Sequence, residues 1–295
     1  MDAILVEVRR NGTVEARHRV HAVAIRNGEI AAAAGDPHLV CFMRSSSKPI
    51  QALPLARARA DLDDADLAIA SASHRATDDQ IAAARALLAK APATEHDLEC
   101  GLQEGRPPQP IFHNCSGKHA GMLALARAHE WPTANYRLAD HPVQRAARDA
   151  HVEATETEPT ATAIDGCGVV TFAFPLDRMA HAFARLPHLD GGDHVTHAIR
   201  TRPDLVGGPD GADLHLMQLA PGWFAKGGAE GLLCAANDDR LGVALKAEDG
   251  SSRALGPALG AFLAPLGVDL APLTSTKIQN SRGELVGEIE VFTNL

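Results

Sequence analysis

"HAVAIRNGEIAAAAGD", residues 21–36, sets short apolar runs on both sides of the dipeptide Asn27-Gly28. An Asn-Gly pair between two such runs is the signal of a tight β-hairpin, because both residues readily adopt a positive φ. The preceding run "ILVEVRR" leads into a second pair, Asn11-Gly12. The N-terminal segment therefore predicts antiparallel strands joined by hairpins.

The centre of the chain has a different periodicity. From about residue 49 to 205, apolar residues recur at helical spacing, as in "DQIAAARALLAK", "AGMLALARAHE" and "HPVQRAARDAHVEA". After Pro221, strand patterns return in "GLLCAA", "RLGVALKAED" and "ELVGEIEVF", with a helix predicted in "SSRALGPALGAFLAPLG". Both ends of the chain thus supply strands, and the middle supplies helices.

This order predicts an α/β fold of the α+β type. We expect one antiparallel sheet built from both termini, from about 1–45 and 221–295, with flanking helices and a mostly helical lobe over 49–205. No linker, internal repeat or low-complexity run interrupts the chain, so we expect a single domain, 1–295.

Composition narrows the class of partner. The formal net charge of -9 disfavours a general nucleic-acid binder, which needs a basic surface to neutralise phosphates. The N-terminus lacks the pattern of a signal peptide, and no stretch has the apolar length needed to cross a bilayer. We therefore expect a cytoplasmic protein with a small-molecule partner. In that compartment the five cysteines stay reduced, as core residues, metal ligands or nucleophiles.

"RSSSKPIQ", residues 44–51, contains the pair Ser45 and Lys48. Residues three apart share a helix face, so the amine could take the proton of the hydroxyl and activate it. The alternative is a solvated loop, because Pro49 disfavours helical geometry at Lys48 and three adjacent serines leave the register open.

Two later stretches could complete such a site. In "ASASHRATDDQ", Ser73 precedes a predicted helix. The simpler interpretation is that Thr77 or Asp78 caps this helix and that Ser73 is not involved in a site. In "FAKGGAEG", Lys226 opens a strand and Gly227 follows it, in a tight turn or at a close approach to a ligand.

The order of these three stretches is typical of serine β-lactamases and penicillin-binding proteins. The middle motif of those proteins usually ends in asparagine, where this chain has Arg75. The architecture can therefore be shared without the β-lactam substrate.

"HNCSGKHAG", residues 113–121, allows several interpretations. Asn114 or Ser116 could cap a helix that begins beside Cys115. The cysteine could be a buried structural residue. It could also be a metal ligand completed by the cysteine of "DGCGVV", or a nucleophile served by one of the two flanking histidines, His113 or His119.

Together these motifs resemble the L-asparaginase II family of the Rhizobium etli type, along nearly the whole chain. The resemblance rests on "RSSSKPIQALPL", "ASH", "HNCSGKHAGML", "DHPVQ", "DGCGVVTFAFPL", "KGGAEG" and "GVALKAEDG". It implies a fold similar to serine β-lactamases, two serine-lysine pairs and one zinc ion held by two cysteines and a lysine. The implied catalytic residues are Ser45 with Lys48 and Ser73 with Lys226, and the implied zinc ligands are Cys115, Lys118 and Cys167.

The same resemblance implies that Arg44, His119 and Asp165 line the substrate pocket and that the chain forms a homodimer. Gly227 is a further candidate for substrate binding, because its backbone amide could contribute to an oxyanion hole. Two residues depart from the family pattern, Arg75 after "ASH" and Val170 where proline is usual.

The resulting hypothesis is an amidohydrolase that cleaves the side-chain amide of L-asparagine. Ser45 attacks the amide carbon with neutral Lys48 as base, and zinc is not needed to make the nucleophile. The alternatives are another small amide, such as glutamine or a β-lactam, and a non-catalytic zinc-binding protein.

Overall fold

The computed structural model describes residues 2–292. The strands are β1 (Ile4–Arg10), β2 (Thr13–Arg26), β3 (Glu29–Ala34), β4 (Val40–Phe42), β5 (Ala161–Ile164), β6 (Val170–Pro175), β7 (Phe224–Gly228), β8 (Leu232–Ala236), β9 (Leu241–Ala247), β10 (Ser275–Gln279) and β11 (Leu285–Val291). The helices are α1 (Lys48–Gln51), α2 (Leu53–Ala58), α3 (Asp64–Ala70), α4 (Asp78–Lys90), α5 (Ser116–Ala128), α6 (Pro142–Thr155), α7 (Leu176–Arg185), α8 (Gly192–Thr201), α9 (Pro203–Val206), α10 (Ala212–Leu219) and α11 (Leu255–Leu263).

The main sheet is antiparallel and is built from both ends of the chain. Its strand order is β10-β11-β1-β2-β9-β8-β7, and β3 pairs with β2 beside this path. The predicted fold class, a mixed α/β fold with a curled antiparallel sheet and flanking helices, is confirmed. The two predicted hairpin turns are also present, since Asn11, Gly12, Asn27 and Gly28 all have positive φ.

Both faces of this sheet are buried. On one face, Val23, Ile25 and Phe224 pack with the helical lobe. On the other, Val243 and Leu245 pack under α11. Because side chains alternate along a strand, Lys226 lies on the same face of β7 as Phe224 and is therefore directed to the lobe. Since β7 ends the strand order, this lysine lies where the sheet edge meets the helices.

A second, three-stranded sheet differs from the expectation. Its order is β4-β6-β5, so residues 161–175 form strands within the segment predicted to be mostly helical. The strand β4, predicted for the terminal sheet, pairs instead with β6, with Cys41 opposite Phe174. An apolar run of four to eight residues cannot be assigned to strand or helix by periodicity alone, which explains the error. Between residues 2 and 292, no helix is both long enough and apolar enough to span a membrane.

Candidate active site

Lys48 forms the centre of the candidate site. Its side chain is fully buried, and its Nζ donates to the carbonyl of Ala72 at 2.5 Å and to Oγ of Ser73 at 2.9 Å. The backbone of Lys48 is helical despite Pro49, because the proline occupies the first turn of α1, where its missing N–H is tolerated. A solvated loop is therefore wrong for this stretch.

The three adjacent serines have different environments. Ser46 Oγ donates to the Lys226 carbonyl at 2.9 Å, and Ser47 Oγ donates to the Arg44 carbonyl at 2.7 Å. Over residues 2–292, the hydroxyl of Ser45 makes no hydrogen bond. The Lys48 backbone N–H donates to the Ser45 carbonyl, so both residues belong to the same helical turn. These contacts single out Ser45 as the serine with a free hydroxyl.

Arg44 directly precedes Ser45, and its backbone conformation and its ion pair hold the start of the helical turn that contains Ser45 and Lys48. Its φ of 48° lies in the left-handed region, a conformation that costs about 1–3 kcal/mol for a non-glycine residue. Its Nε donates to Asp165 Oδ1 at 2.6 Å, and the Gly166 N–H donates to the same oxygen at 2.9 Å. The ion pair therefore joins the turn before Ser45 to the loop that carries Cys167.

The lysines are paired differently from the expectation. Lys48 bonds to Ser73, whereas the Lys226 Nζ donates to the carbonyl of Gly227 at 2.8 Å and lies 3.9 Å from Asp213 Oδ2. The second pair implied by the resemblance, Ser73 with Lys226, is thus not hydrogen-bonded in this structure. The physical reason is that the Lys226 amine is directed to the carbonyl of Gly227 on its own strand and to the carboxylate of Asp213 on α10.

Both lysines carry a lowered pKa. Burial lowers the pKa of Lys48, and the neighbouring Lys118 lowers it further against the opposite effect of Cys115. Burial also lowers the pKa of Lys226 to about 8, although Asp213 acts in the opposite direction. A lowered pKa makes a neutral amine accessible near physiological pH, which a lysine base requires.

Gly227 does not offer its backbone amide to a substrate. Its N–H donates to Asp213 Oδ2 at 2.9 Å, and its carbonyl accepts from Lys226. Its expected role in an oxyanion hole stays a prediction, and it would require this bond to Asp213 to break. Sequence reasoning missed Asp213, which lies in an unremarkable acidic first turn of α10.

Cys115, Lys118 and Cys167 come together beside Lys48. Lys118 Nζ donates to Cys167 Sγ at 2.9 Å, and Cys115 lies close enough to the same sulfur to affect its pKa. All three side chains are buried. The neighbouring Cys115 thiol and the positive Lys118 lower the pKa of Cys167 to about 5, against burial, which favours the thiolate at neutral pH. Burial lowers the Lys118 pKa, but the two sulfurs outweigh burial and raise it overall.

Two interpretations of this stretch are now excluded. The residue before α5 is Cys115, and it has no side-chain cap, so neither Asn114 nor Ser116 caps the helix. The histidines are engaged elsewhere: His113 Nδ1 accepts the Cys115 backbone N–H, and His119 Nδ1 lies 2.7 Å from Tyr136 Oη. Neither histidine is hydrogen-bonded to the thiol as a base would be.

The sulfur–amine cluster is the candidate metal site. The described residues contain no group of three or more His, Cys, Asp or Glu side chains placed to hold a metal ion. The donors that converge in this cluster are the two sulfurs and the amine of Lys118. Two thiolates and a neutral amine are donors that suit zinc, provided that Cys115 and Lys118 each lose a proton on binding.

Buried polar residues on and around α5 form hydrogen bonds next to the sulfur–amine cluster. His119 is fully buried, and burial lowers its pKa well below the usual range. Tyr136 Oη accepts the Glu99 backbone N–H, so this buried tyrosine joins His119 to a distant loop. His74 Nε2 lies 2.8 Å from Ser116 Oγ, which ties the "ASH" loop to the start of α5. The role of Tyr136 could not be inferred from its position in the sequence.

A buried lysine amine hydrogen-bonded to a serine hydroxyl is a pair of groups that can activate a hydroxyl as a nucleophile. The family model of L-asparaginase II matches residues 6–291. The chain therefore belongs to the L-asparaginase II family. A comparison with curated proteins finds no match.

Solved structures resemble this chain at low identity. Mglu, in its native form in the presence of 4.3 M NaCl, has a TM-score of 0.50 and 15% identity, over 85% of this chain and 62% of that one. SurE with D-Leu has a TM-score of 0.42 and 17% identity, over 97% and 82%. A β-lactamase from Mycobacterium bovis has a TM-score of 0.39 and 15% identity, over 83% and 94%. This chain thus spans less than two thirds of the length of Mglu, and the likeness concerns the fold alone.

Proposed function

We propose that this protein is an L-asparaginase, which hydrolyses the side-chain amide of L-asparagine to L-aspartate and ammonia. The observation that carries the proposal is the buried Lys48 amine, 2.9 Å from Ser73 Oγ and one helical turn after the free hydroxyl of Ser45. Membership in the L-asparaginase II family supports the amide as the bond that is cleaved.

The first half-reaction forms an ester. Ser45 Oγ attacks the side-chain amide carbon, and neutral Lys48 takes the hydroxyl proton. The carbon–nitrogen bond then breaks, and the nitrogen leaves as ammonia after it receives a proton from charged Lys226. The product is a β-aspartyl ester on Ser45, with Lys48 charged and Lys226 neutral.

The second half-reaction restores the enzyme. Water attacks the ester carbon and gives its proton to Lys226, while charged Lys48 returns a proton to Ser45 as the ester bond breaks. Arg44 and Asp165 lie at the mouth of the same turn, and their ion pair positions Ser45. His119, which follows Lys118 in the chain, is fully buried beside the sulfur–amine cluster.

We further propose that Cys115, Lys118 and Cys167 hold one zinc ion. The fit rests on the lowered pKa of the Cys167 thiol and on the convergence of two sulfurs and an amine. When bound, zinc would act as a Lewis acid and orient the substrate. Zinc content measured by mass spectrometry should be about one ion per chain and fall to nearly none in Cys167→Ser. The half-buried Cys41 gives the matched control, Cys41→Ser, which should keep its zinc.

Ammonia release from L-asparagine tests the proposed activity. We expect release by the purified protein and a loss of about 1,000-fold or more in Ser45→Ala. The exposed serine of the β10–β11 turn supplies the matched control, Ser281→Ala, which should leave the rate unchanged. L-Glutamine and nitrocefin serve as competing substrates. Nitrocefin turnover without release from L-asparagine would contradict the proposal, and so would full activity of Ser45→Ala.

The remaining expectations concern the setting of the enzyme. We propose a homodimer that acts in the cytoplasm on a small-molecule substrate, and the five free cysteines fit a reducing compartment. Light scattering coupled to size-exclusion chromatography should give a mass of about twice 31.1 kDa. A mass of one chain at micromolar concentration would contradict the dimer.

A further inference from the structure

We propose that Asp213 is a positioning residue, which holds the Lys226 amine at the sheet edge in its charged form so that it can protonate the leaving nitrogen. This inference rests on the proposed function and deepens it, because it separates the tasks of the two buried lysines. Nothing in the motifs of the sequence assigns a task to Asp213.

The geometry ties Asp213 to Lys226 in two ways. Asp213 Oδ2 accepts the N–H of Gly227, the residue after Lys226, at 2.9 Å, and lies 3.9 Å from Lys226 Nζ. Asp213 Oδ1 accepts the N–H of Leu214 at 3.0 Å. One carboxylate therefore fixes both the strand that carries the lysine and the direction of its amine.

The surroundings of Asp213 are shaped to fit a carboxylate. Its side chain is buried within three glycines: a Cβ on Gly211, Gly227 or Gly207 would lie 2.2, 3.2 or 3.6 Å from a carboxylate oxygen. A Cβ at Gly211 would displace the carboxylate outright. A buried carboxylate without a partner is strongly unfavourable, and here two backbone N–H groups and one lysine compensate it.

The other charged groups around Lys226 show why a carboxylate is needed. Lys48 and Arg75 oppose a positive charge on Lys226, whereas Asp213 and Cys115 favour it. Burial opposes the charge more strongly than any of these groups. Without Asp213, Lys226 would lose its closest negative neighbour and give up its proton at lower pH.

The test compares Asp213→Asn with the wild-type enzyme. We expect the alkaline limb of kcat/KM for L-asparagine to move at least about one pH unit toward acid in Asp213→Asn, because Lys226 then deprotonates earlier. Asp213→Glu keeps the charge and should retain the wild-type limb. A purely structural role of Asp213 would lower kcat/KM at every pH without moving the limb.

A direct measurement separates this inference from the proposed function. The Lys226 Nζ signal in NMR spectra of protein labelled with ¹⁵N-lysine, assigned with Lys226→Met, should titrate near pH 8 in the wild type and at lower pH in Asp213→Asn. An unchanged midpoint in the folded variant would overturn the inference, whatever the activity. A shifted midpoint in a protein that releases no ammonia from L-asparagine would uphold the positioning of Lys226 and contradict only the proposed substrate. If Asp213→Asn does not fold, Gly211→Ala displaces the same carboxylate and should give the same shift.

Discussion

In the proposed mechanism the two buried lysines have different tasks, and their neighbours differ accordingly. Lys48 lies among Cys115, Lys118 and Cys167, with its donors directed to Ala72 and Ser73. Lys226 has a carboxylate as its neighbour. Environments that separate the pKa values of two similar groups are how an active site obtains a base and an acid from one residue type. On this view Lys48 receives the serine proton, and Lys226 supplies the proton of the leaving group.

The pH profile of the wild-type enzyme follows from this assignment. Lys226 must be charged to act as an acid, and burial lowers its pKa to about 8. The charged fraction is then about 90% at pH 7 and about 10% at pH 9. We therefore expect kcat/KM for L-asparagine to fall about tenfold for each pH unit well above pH 8, measured by ammonia release between pH 6 and 10. A rate that rises steadily through pH 9 would show that Lys226 acts in its neutral form.

At the residue scale, the sequence identified which residues are candidates for the site, but it did not predict which atoms they contact. The spacing of Ser45 and Lys48 and the two cysteine motifs were visible without a structure. Hydrogen-bond partners depend on side-chain direction across elements distant in sequence, so the bond from Lys48 to Ser73 was not predictable. Asp213 was missed for the same reason, since its partner Gly227 is fourteen residues away and on another element.

Between elements, close packing of α5 on α3 places the start of α5. A Cβ on Gly117 would lie 2.3 Å from the backbone carbonyl oxygen of Ile69, and a Cβ on Gly121 would lie 3.0 Å from the Ala70 Cβ. These two glycines, one helical turn apart, let the helices approach each other. Lys118 follows Gly117 directly, so the approach also places the amine of the candidate metal site.

Gly117→Ala should be strongly destabilising, because a backbone carbonyl cannot move aside as a flexible side chain would. We expect a loss of about 3 kcal/mol in the free energy of unfolding, measured by urea denaturation. The control is Gly256→Ala in α11, where the added Cβ has no atom of the described residues within 4 Å apart from its chain neighbours and the backbone of its own helix. That change should be neutral or stabilising by up to about 1 kcal/mol. Equal effects of the two substitutions would refute the close-packing argument.

The elements were predictable where local signals were strong. The Asn-Gly hairpins and the long helices α4, α5 and α6 follow directly from turn chemistry and periodicity. The short strands β5 and β6 were not predictable, because runs of four and six residues carry little periodicity and β4, the second neighbour of β6, is more than a hundred residues away in the chain. The exposed strand β10 likewise has no apolar alternation that marks it.

In the whole molecule, the lobe and the sheet share one interior. The helical lobe is inserted between the strands of the two chain ends, and α7 packs on β2, β8 and β9. One continuous set of buried residues includes Ile50 of the lobe and Phe224 of the sheet. The catalytic candidates lie across this same boundary, with Lys48 on α1 and Lys226 on β7. Separating the two parts would expose the core and take the site apart.

This shared interior predicts one cooperative unfolding transition, and the two tryptophans of the chain can test it. Trp131 packs against the lobe core, stacked on His129, whereas Trp223 is buried on the opposite face of the sheet, in the core under α11. Each single variant, Trp131→Phe or Trp223→Phe, leaves one fluorescent reporter. We expect the reporter and far-UV circular dichroism to give the same urea midpoint within each variant, because loss of either part exposes the core of the other. Midpoints that differ by about 0.5 M or more within one variant would mean that the lobe and the sheet unfold as separate units.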